Sequence, residues 1–355
     1  MRTWIEGTPQ RIVVFRASKL GELLCAVPAL RALKAGFASS EITLVGLPWA
    51  RALAQRIPHV DEFIAFPGHP GLPEAECDDV RALPDFLAQV QARRFDLAVQ
   101  LHGSGAIVNP LVASFGARQS AGFAMPGDWV PEADADLYCE WPDQGHEIER
   151  MLTLTDHVGV PRRGNHLEFP LDDADRRALH ALWPDAGTRP YACLHAGAQM
   201  PSRRWDPRRF AEVGDTLAER GFTVVLTASP AEAGLVSDVA ACMQHTPLNL
   251  GGHTTLWTLG ALIEGAALVV CNDTGVSHIA AALQRPSVVV SCGSDASRWS
   301  PLDRRLHRVL ARPMHCRPCS HVDCPTAHEC AAAIEVPQVV RWLPQRAPQH
   351  DSVTA

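Results

Sequence analysis

No run in this 355-residue sequence approaches the roughly 18 to 20 uninterrupted apolar residues of a membrane-spanning helix, so no span is expected. The first twenty residues hold only the short apolar run 12–15, too brief for the core of a secretion signal. There is no block of basic charge. Lys and Arg number 32 against 39 Asp and Glu, for a net charge of −7, and a mildly acidic chain is a poor nucleic-acid binder. Lysine is scarce: Lys19 and Lys34 are the only two, a bias that the base composition of a genome is enough to explain. No short-period repeat or low-complexity tract is present. An odd count of 11 cysteines without an export signal argues against a disulfide framework. These absences leave a cytoplasmic protein as the default. At about 150 residues per domain the length fits roughly two domains, and 46% apolar residues supply ordinary globular cores.

Short β-branched runs alternate with longer stretches of helical spacing, twice over. In the first half, strands are expected at residues 11–15, 42–46, about 63–66 and 95–101. A loop over 16–21 leads to a helix bearing Leu23, Leu24, Val27 and Leu30 at helical spacing. Pro28 interrupts that spacing and predicts a kink or a reset. A helix is expected over 80–93. The acidic, Pro- and Asp-rich stretch 127–145 breaks the rhythm, and a helix over 146–158 and a linker at 159–165 follow. The second half restarts with strands at 191–195, 223–227, 268–271 and 287–291, and Asp206-Pro207 opens a helix. Continuous apolar strands separated by helices indicate a parallel sheet covered on both faces. The expected class is α/β, with Rossmann-like domains at 1–165 and 166–335, and a C-terminal helix and loose polar tail over 336–355.

Three segments can carry chemistry. The first is Asn272-Asp273-Thr274-Gly275-Val276-Ser277-His278, where a buried strand runs directly into an Ala-rich helix. Thr274 or Asp273 can cap that helix, Gly275 admits a ligand to the backbone, and the free first-turn N–H groups favour an anion. An ordinary capped core helix with one satisfied histidine is the plainer reading. The second, His195 to Trp205, sets Arg203 and Arg204 on a loop after another strand, suited to a diphosphate or simply solvated; Trp205 reads as a core anchor. The third, Arg16-Ala17-Ser18-Lys19-Leu20-Gly21-Glu22, is a strand-to-helix turn with one Gly, matching neither a P-loop nor a dinucleotide fingerprint. Glu22 there is either a favourable N-terminal charge or a general base.

In this order the three segments resemble glycosyltransferase family 9, the ADP-heptose:lipopolysaccharide heptosyltransferases and their relatives. Gly145-His146-Glu147 through Arg150 is similar to the family's mid-chain helix. The resemblance implies a GT-B fold, two Rossmann-like domains facing across a cleft. It places the acceptor on the N-terminal domain and the nucleotide sugar on the C-terminal one. It also implies transfer with inversion and no catalytic metal or other cofactor. Where the family has an aspartate after the Gly of its first turn, this chain has Glu22, implied as the base, with Ser18, Lys19 and Gly21 in the acceptor-side loop. Arg203 takes the place of a donor-phosphate lysine, with Arg204 beside it. Asp273, Thr274, Gly275 and His278 fall on the diphosphate element, and Glu232 about where a carboxylate meets the ribose. The implied partners are a nucleotide-diphosphate sugar and a lipopolysaccharide-core or other cell-surface glycan acceptor. ADP-heptose is the first choice of donor and another nucleotide hexose the second. A lipid-linked acceptor brings transient contact with the inner face of the cytoplasmic membrane, for which the apolar turns at Pro48-Trp49, Trp129 and Trp141 are candidates. A non-catalytic nucleotide-sugar-binding protein is the alternative from another class.

Two further patterns point to metals. Asp134-Ala135-Asp136 has DxD spacing but reads as a solvated acidic loop. Cys316, Cys319, Cys324 and Cys330, interleaved with His315, His321 and His328, suit structural zinc or an iron–sulfur cluster, or else remain thiols or pair locally. A metal or redox module built on them is a third functional class. The other seven cysteines are scattered singly (Cys25, Cys77, Cys139, Cys193, Cys242, Cys271 and Cys292).

Overall fold

A computed structural model of the chain describes residues 5–75 and 80–348. The chain divides into two compact units, Met1–Pro170 and Leu171–Ala355. The first holds β1 (Arg11–Phe15), β2 (Glu41–Gly46), β3 (Glu62–Ala65), β4 (Leu97–Gln100), β5 (Gln119–Ala124) and β6 (Tyr138–Glu140). The second holds β7 (Tyr191–His195), β8 (Thr223–Thr227), β9 (Leu248–Asn249), β10 (Leu268–Asn272), β11 (Ser287–Ser291) and β12 (His307–Ala311). Each unit forms one six-stranded sheet, ordered β3-β2-β1-β4-β5-β6 and β12-β11-β10-β7-β8-β9. Every recorded strand pairing is parallel.

The central strands are apolar on both faces because helices cover both. Val14 of β1 pairs with Leu44 and Val99, and Leu194 of β7 with Val270 and Leu226; all six are buried. Both sheets have the Rossmann order, so the winding reverses between β1 and β4 and again between β7 and β10. Ligands in such sheets bind outside the carboxyl ends of the strands at that reversal. The segments beginning at Arg16, His195 and Asn272 all leave carboxyl ends there.

In the N-terminal unit a single helix runs Leu20–Gly36 straight through Pro28, so the expected reset does not occur. Proline removes one donor and crowds the preceding turn, at roughly 3 kcal/mol. Here every residue from Leu23 to Leu33 is buried, and that packing outweighs the local penalty. The core beside β1 is aromatic: Phe15 meets Phe66 edge-on at 5.0 Å, and Phe66 meets Phe86 at 5.3 Å. Arg31 carries the unit to Pro170. It donates to Arg163 O at 3.0 Å and His166 O at 2.9 Å and pairs with Glu168, while Leu167 and Phe169 are buried.

In the C-terminal unit the helix Val336–Val340 packs onto the core through Val339, and Leu343 follows it in. The chain past Pro344 is still tied to the unit. Arg220 donates to Leu343 O and Pro344 O, and the Ala347 N–H donates to Arg220 O at 2.9 Å. Residues 349–355 lie outside the described ones. Among the described residues, no helix is long and apolar enough to cross a membrane.

Candidate functional site

At the C-terminal switch point, Asn272 is the fully buried last residue of β10 and joins two loops. Its Oδ1 accepts the Trp205 N–H at 3.0 Å, and its Nδ2 donates to Ala196 O at 2.7 Å. The arginine loop after β7 is thereby fixed against the turn after β10. Trp205 is the expected core anchor, with its Nε1–H on Ile334 O at 2.9 Å. The sequence signal for Asn272 is a polar residue ending an apolar strand; its stapling role lies in contacts with residues far along the chain.

The helix Gly275–Ala282 follows at once. Thr274 stands at its N-cap with extended backbone, yet no side chain caps the helix. This corrects the expectation that Thr274 or Asp273 would. The Asp273 carboxylate is taken up by the hydroxyls of Ser294 and, at 3.4 Å, Ser291. The Thr274 Oγ1 is buried without a hydrogen-bond partner. An uncapped helix start of this kind keeps N–H groups and the positive end of the dipole available to an anion. His278 lies buried in the first turn, its ring edge-on to Trp299 at 6.5 Å.

The two arginines differ. Arg204 donates from Nε to Ala198 O at 2.8 Å and pairs at 3.4 Å with Glu232, so its charge is largely used. Arg203 donates from Nη2 to Cys319 O at 3.3 Å, and its Nε is buried without a partner. Glu232 lies over the backbone of Gly197, where a Cβ would come within 2.6 Å of the carboxylate, and it accepts from Ser229 Oγ at 2.6 Å. His195 ends β7 with Nδ1 at 3.0 Å from Thr227 Oγ1, and burial pushes its imidazole down to about 4.

The N-terminal switch point is built differently. Arg16 is buried and reaches Glu147 at 2.8 Å, a carboxylate with no solvent exposure, and donates to Leu101 O at 2.5 Å. Sequence spacing carries no signal for this pair, whose members lie 131 residues apart. Glu22, partly buried in the first turn of Leu20–Gly36, accepts the Lys19 N–H through Oε2 at 3.1 Å. That is one half of a capping box; the Lys19 ammonium has no acceptor with which to make the other. Lys19 is exposed, Gly21 is partly buried in the same turn, and Ser18 is buried with its hydroxyl unpartnered.

Of the DxD pair, Asp136 is exposed and Asp134 is structural. Asp134 Oδ2 accepts the Ser120 N–H and hydroxyl, each at 2.8 Å, and so clips β5. The four clustered cysteines are free thiols. Cys330 lies in the apolar core, Cys319 packs on Gly293, and Cys316 and Cys324 are partly exposed. Among the described residues no group of three or more His, Cys, Asp or Glu side chains is placed to hold a metal ion. Of the scattered cysteines, Cys25, Cys193, Cys271 and Cys292 are buried, Cys139 partly so, and Cys242 is exposed; Cys77 lies outside the described residues. Trp49 and Trp129 are 40% and 53% exposed, whereas Trp141 meets Phe123 edge-on at 4.9 Å and lies beneath Arg150.

The sequence model described as glycosyltransferase family 9 (heptosyltransferase) matches residues 86–329. Lipopolysaccharide heptosyltransferase 2 of Salmonella typhimurium is 28% identical over 310 residues, covering 83% of this chain and 86% of that protein. Two solved structures share the fold. A glycosyl transferase family 9 protein from Veillonella parvula superposes with TM-score 0.79 at 20% identity, over 94% of this chain and 96% of that one. The E. coli heptosyltransferase WaaC, solved with ADP-2-deoxy-2-fluoro heptose, superposes with TM-score 0.65 at 17% identity, over 93% and 98%.

Proposed function

Since the chain belongs to glycosyltransferase family 9, and so is a glycosyltransferase of GT-B fold, we propose that it transfers heptose from ADP-heptose to a lipopolysaccharide-core acceptor, with inversion and without a metal. The heptosyltransferase named among its relatives and the ADP-sugar analogue seen with WaaC support the choice of donor and acceptor. The observation that carries the reading is the C-terminal switch point. Arg203 Nε and Thr274 Oγ1 are buried there without partners, beside a helix start that no side chain caps. Buried polar groups are nearly always satisfied, and an anion with several oxygens supplies what these lack.

The chemistry follows from these parts. Sugar transfer builds negative charge on the departing nucleoside diphosphate. Arg203, the first-turn N–H groups and His278 take up that charge as fixed donors, the role a divalent cation plays elsewhere. Glu232 accepts from a ribose hydroxyl, with Arg204 held back to orient it. On the N-terminal unit, the acceptor-binding one in this reading, Glu22 accepts the proton of the attacking hydroxyl, and Ser18, Lys19 and Gly21 line its turn. Attack from the face opposite the leaving group inverts the anomeric carbon. The reaction is assigned to the cytoplasmic side of the inner membrane, with Trp49 and Trp129 as the contacts to the lipid surface bearing the acceptor. The test is transfer from ADP-heptose to heptose-deficient core lipopolysaccharide in the presence of EDTA, with the product linkage read by NMR. Inverted product with EDTA present is expected. No transfer, or transfer that EDTA abolishes, would overturn the reading.

A further inference from the structure

The donor turn is held from behind by a segment to which the reaction assigns no part. We propose that Arg317 is a positioning residue for the nucleotide-sugar site, acting on Asp273 through Ser291 and Ser294; this rests on the donor reading above. Its Nη1 donates to Ser291 Oγ at 3.0 Å and Ser294 O at 2.6 Å, and its Nη2 to Ser291 O at 2.5 Å. A guanidinium has donors only, so Ser291 Oγ must accept from it and turn its own proton away. The remaining acceptors in reach are Ser294 Oγ at 2.8 Å and Asp273 Oδ2 at 3.4 Å, and Ser294 Oγ itself donates to Asp273 Oδ2. A chain of hydrogen bonds with one polarity therefore runs from the cation to the carboxylate. Ser291, Ser294 and Asp273 are all buried, where such chains are strong and their loss is costly.

Two consequences bear on the donor. The Asp273 carboxylate precedes the uncapped helix start, and left alone its charge would oppose a diphosphate there. The guanidinium one hydroxyl away offsets that charge, and the two serine hydroxyls fix how the carboxylate is turned. The same segment also reaches the other phosphate element: the Cys319 N–H donates to Gly293 O at 2.7 Å, and Cys319 O accepts from Arg203 at 3.3 Å. Both Arg317 Nη atoms are engaged by the two serines, which makes it a support for the site rather than a ligand of the phosphates.

Steady-state kinetics of the full chain with ADP-heptose and core acceptor test this. Arg317→Met is expected to raise the donor KM about tenfold, the size of one lost charge-assisted network. Arg317→Lys should recover part of the loss, Ser294→Ala should shift KM the same way, and Arg317→Met with Asp273→Asn should be no worse than Asp273→Asn alone. Additive KM increases in the double variant would overturn the proposal. So would an Arg317→Met enzyme that is less stable yet keeps the wild-type KM. If Arg317→Met does not fold, the cycle of Ser294→Ala with Asp273→Asn decides by the same criterion. Failure of the wild-type chain to use ADP-heptose would overturn the donor reading instead, and is told apart because no variant is needed to see it.

Discussion

The two switch points have one topology and opposite electrostatics. After β1 the chain carries a buried arginine already neutralised by Glu147, and the helix that follows has its own carboxylate, Glu22, on the Lys19 N–H. After β7 the Arg203 guanidinium bonds to a carbonyl, Cys319 O, rather than to a carboxylate, and the helix after β10 has no acidic residue in its first turn. Even the last residues of the equivalent strands differ: Phe15 ends β1 and a neutral, buried His195 ends β7. Every helix start has N–H groups to satisfy. Neither N-cap side chain caps its helix here, but the N-terminal unit sets a carboxylate, Glu22, in that first turn. The C-terminal unit sets no acidic residue in its first turn, which suits an anion.

The comparison can be broken first at Glu147. Glu147→Gln strips the buried Arg16 of its counter-charge and should cost about 3–5 kcal/mol of stability in denaturant unfolding; a loss under about 1 kcal/mol would mean the N-terminal turn is not internally neutralised. Next is acid sensitivity in the C-terminal unit. Burial holds His195 down at about 4, against about 6.5 in an unfolded chain, so below pH 6.5 the unfolded state binds a proton that the folded state refuses. Stability present above pH 6.5 should therefore drain away as pH falls towards 4, by about 2–3 kcal/mol for this group. His307, pushed down to about 4 by burial, adds a loss of the same sign. His195→Gln should flatten the pH dependence of unfolding; an unchanged slope would place the sensitivity elsewhere.

Two functional variants sharpen the contrast further. Glu22→Gln should lower turnover about 10²-fold or more while donor affinity is unchanged, within the range of general-base effects. Unaltered turnover would return Glu22 to a capping role alone. Arg203→Ala should weaken calorimetric donor affinity by about tenfold or more, and Arg204→Ala by less, since Glu232 and Ala198 already hold it. Equal effects would erase the distinction drawn between the two.

Much of this was legible because buried parallel strands announce themselves. The Val-rich runs of β1, β8 and β11, with Tyr191–His195, have the bounds that the sequence predicts. Strands β5 and β9 were not legible: Gln119–Ala124 holds Gln, Ser and Gly, and Leu248–Asn249 is two residues long. Pro28 misled because local propensity yields to a helix buried all round. At the site, sequence order identified the turns but not their wiring. Which carboxylate caps, which arginine is spent and where Arg317 reaches depend on contacts between residues tens of positions apart.

Hydrogen exchange at the backbone amides of residues 274–278, in the full chain with and without ADP-heptose, bears most directly on the C-terminal helix start. If its free N–H groups hold the diphosphate, the donor slows exchange there and leaves residues 19–22 unchanged. Exchange at 274–278 that is indifferent to a donor shown by calorimetry to be bound would contradict it.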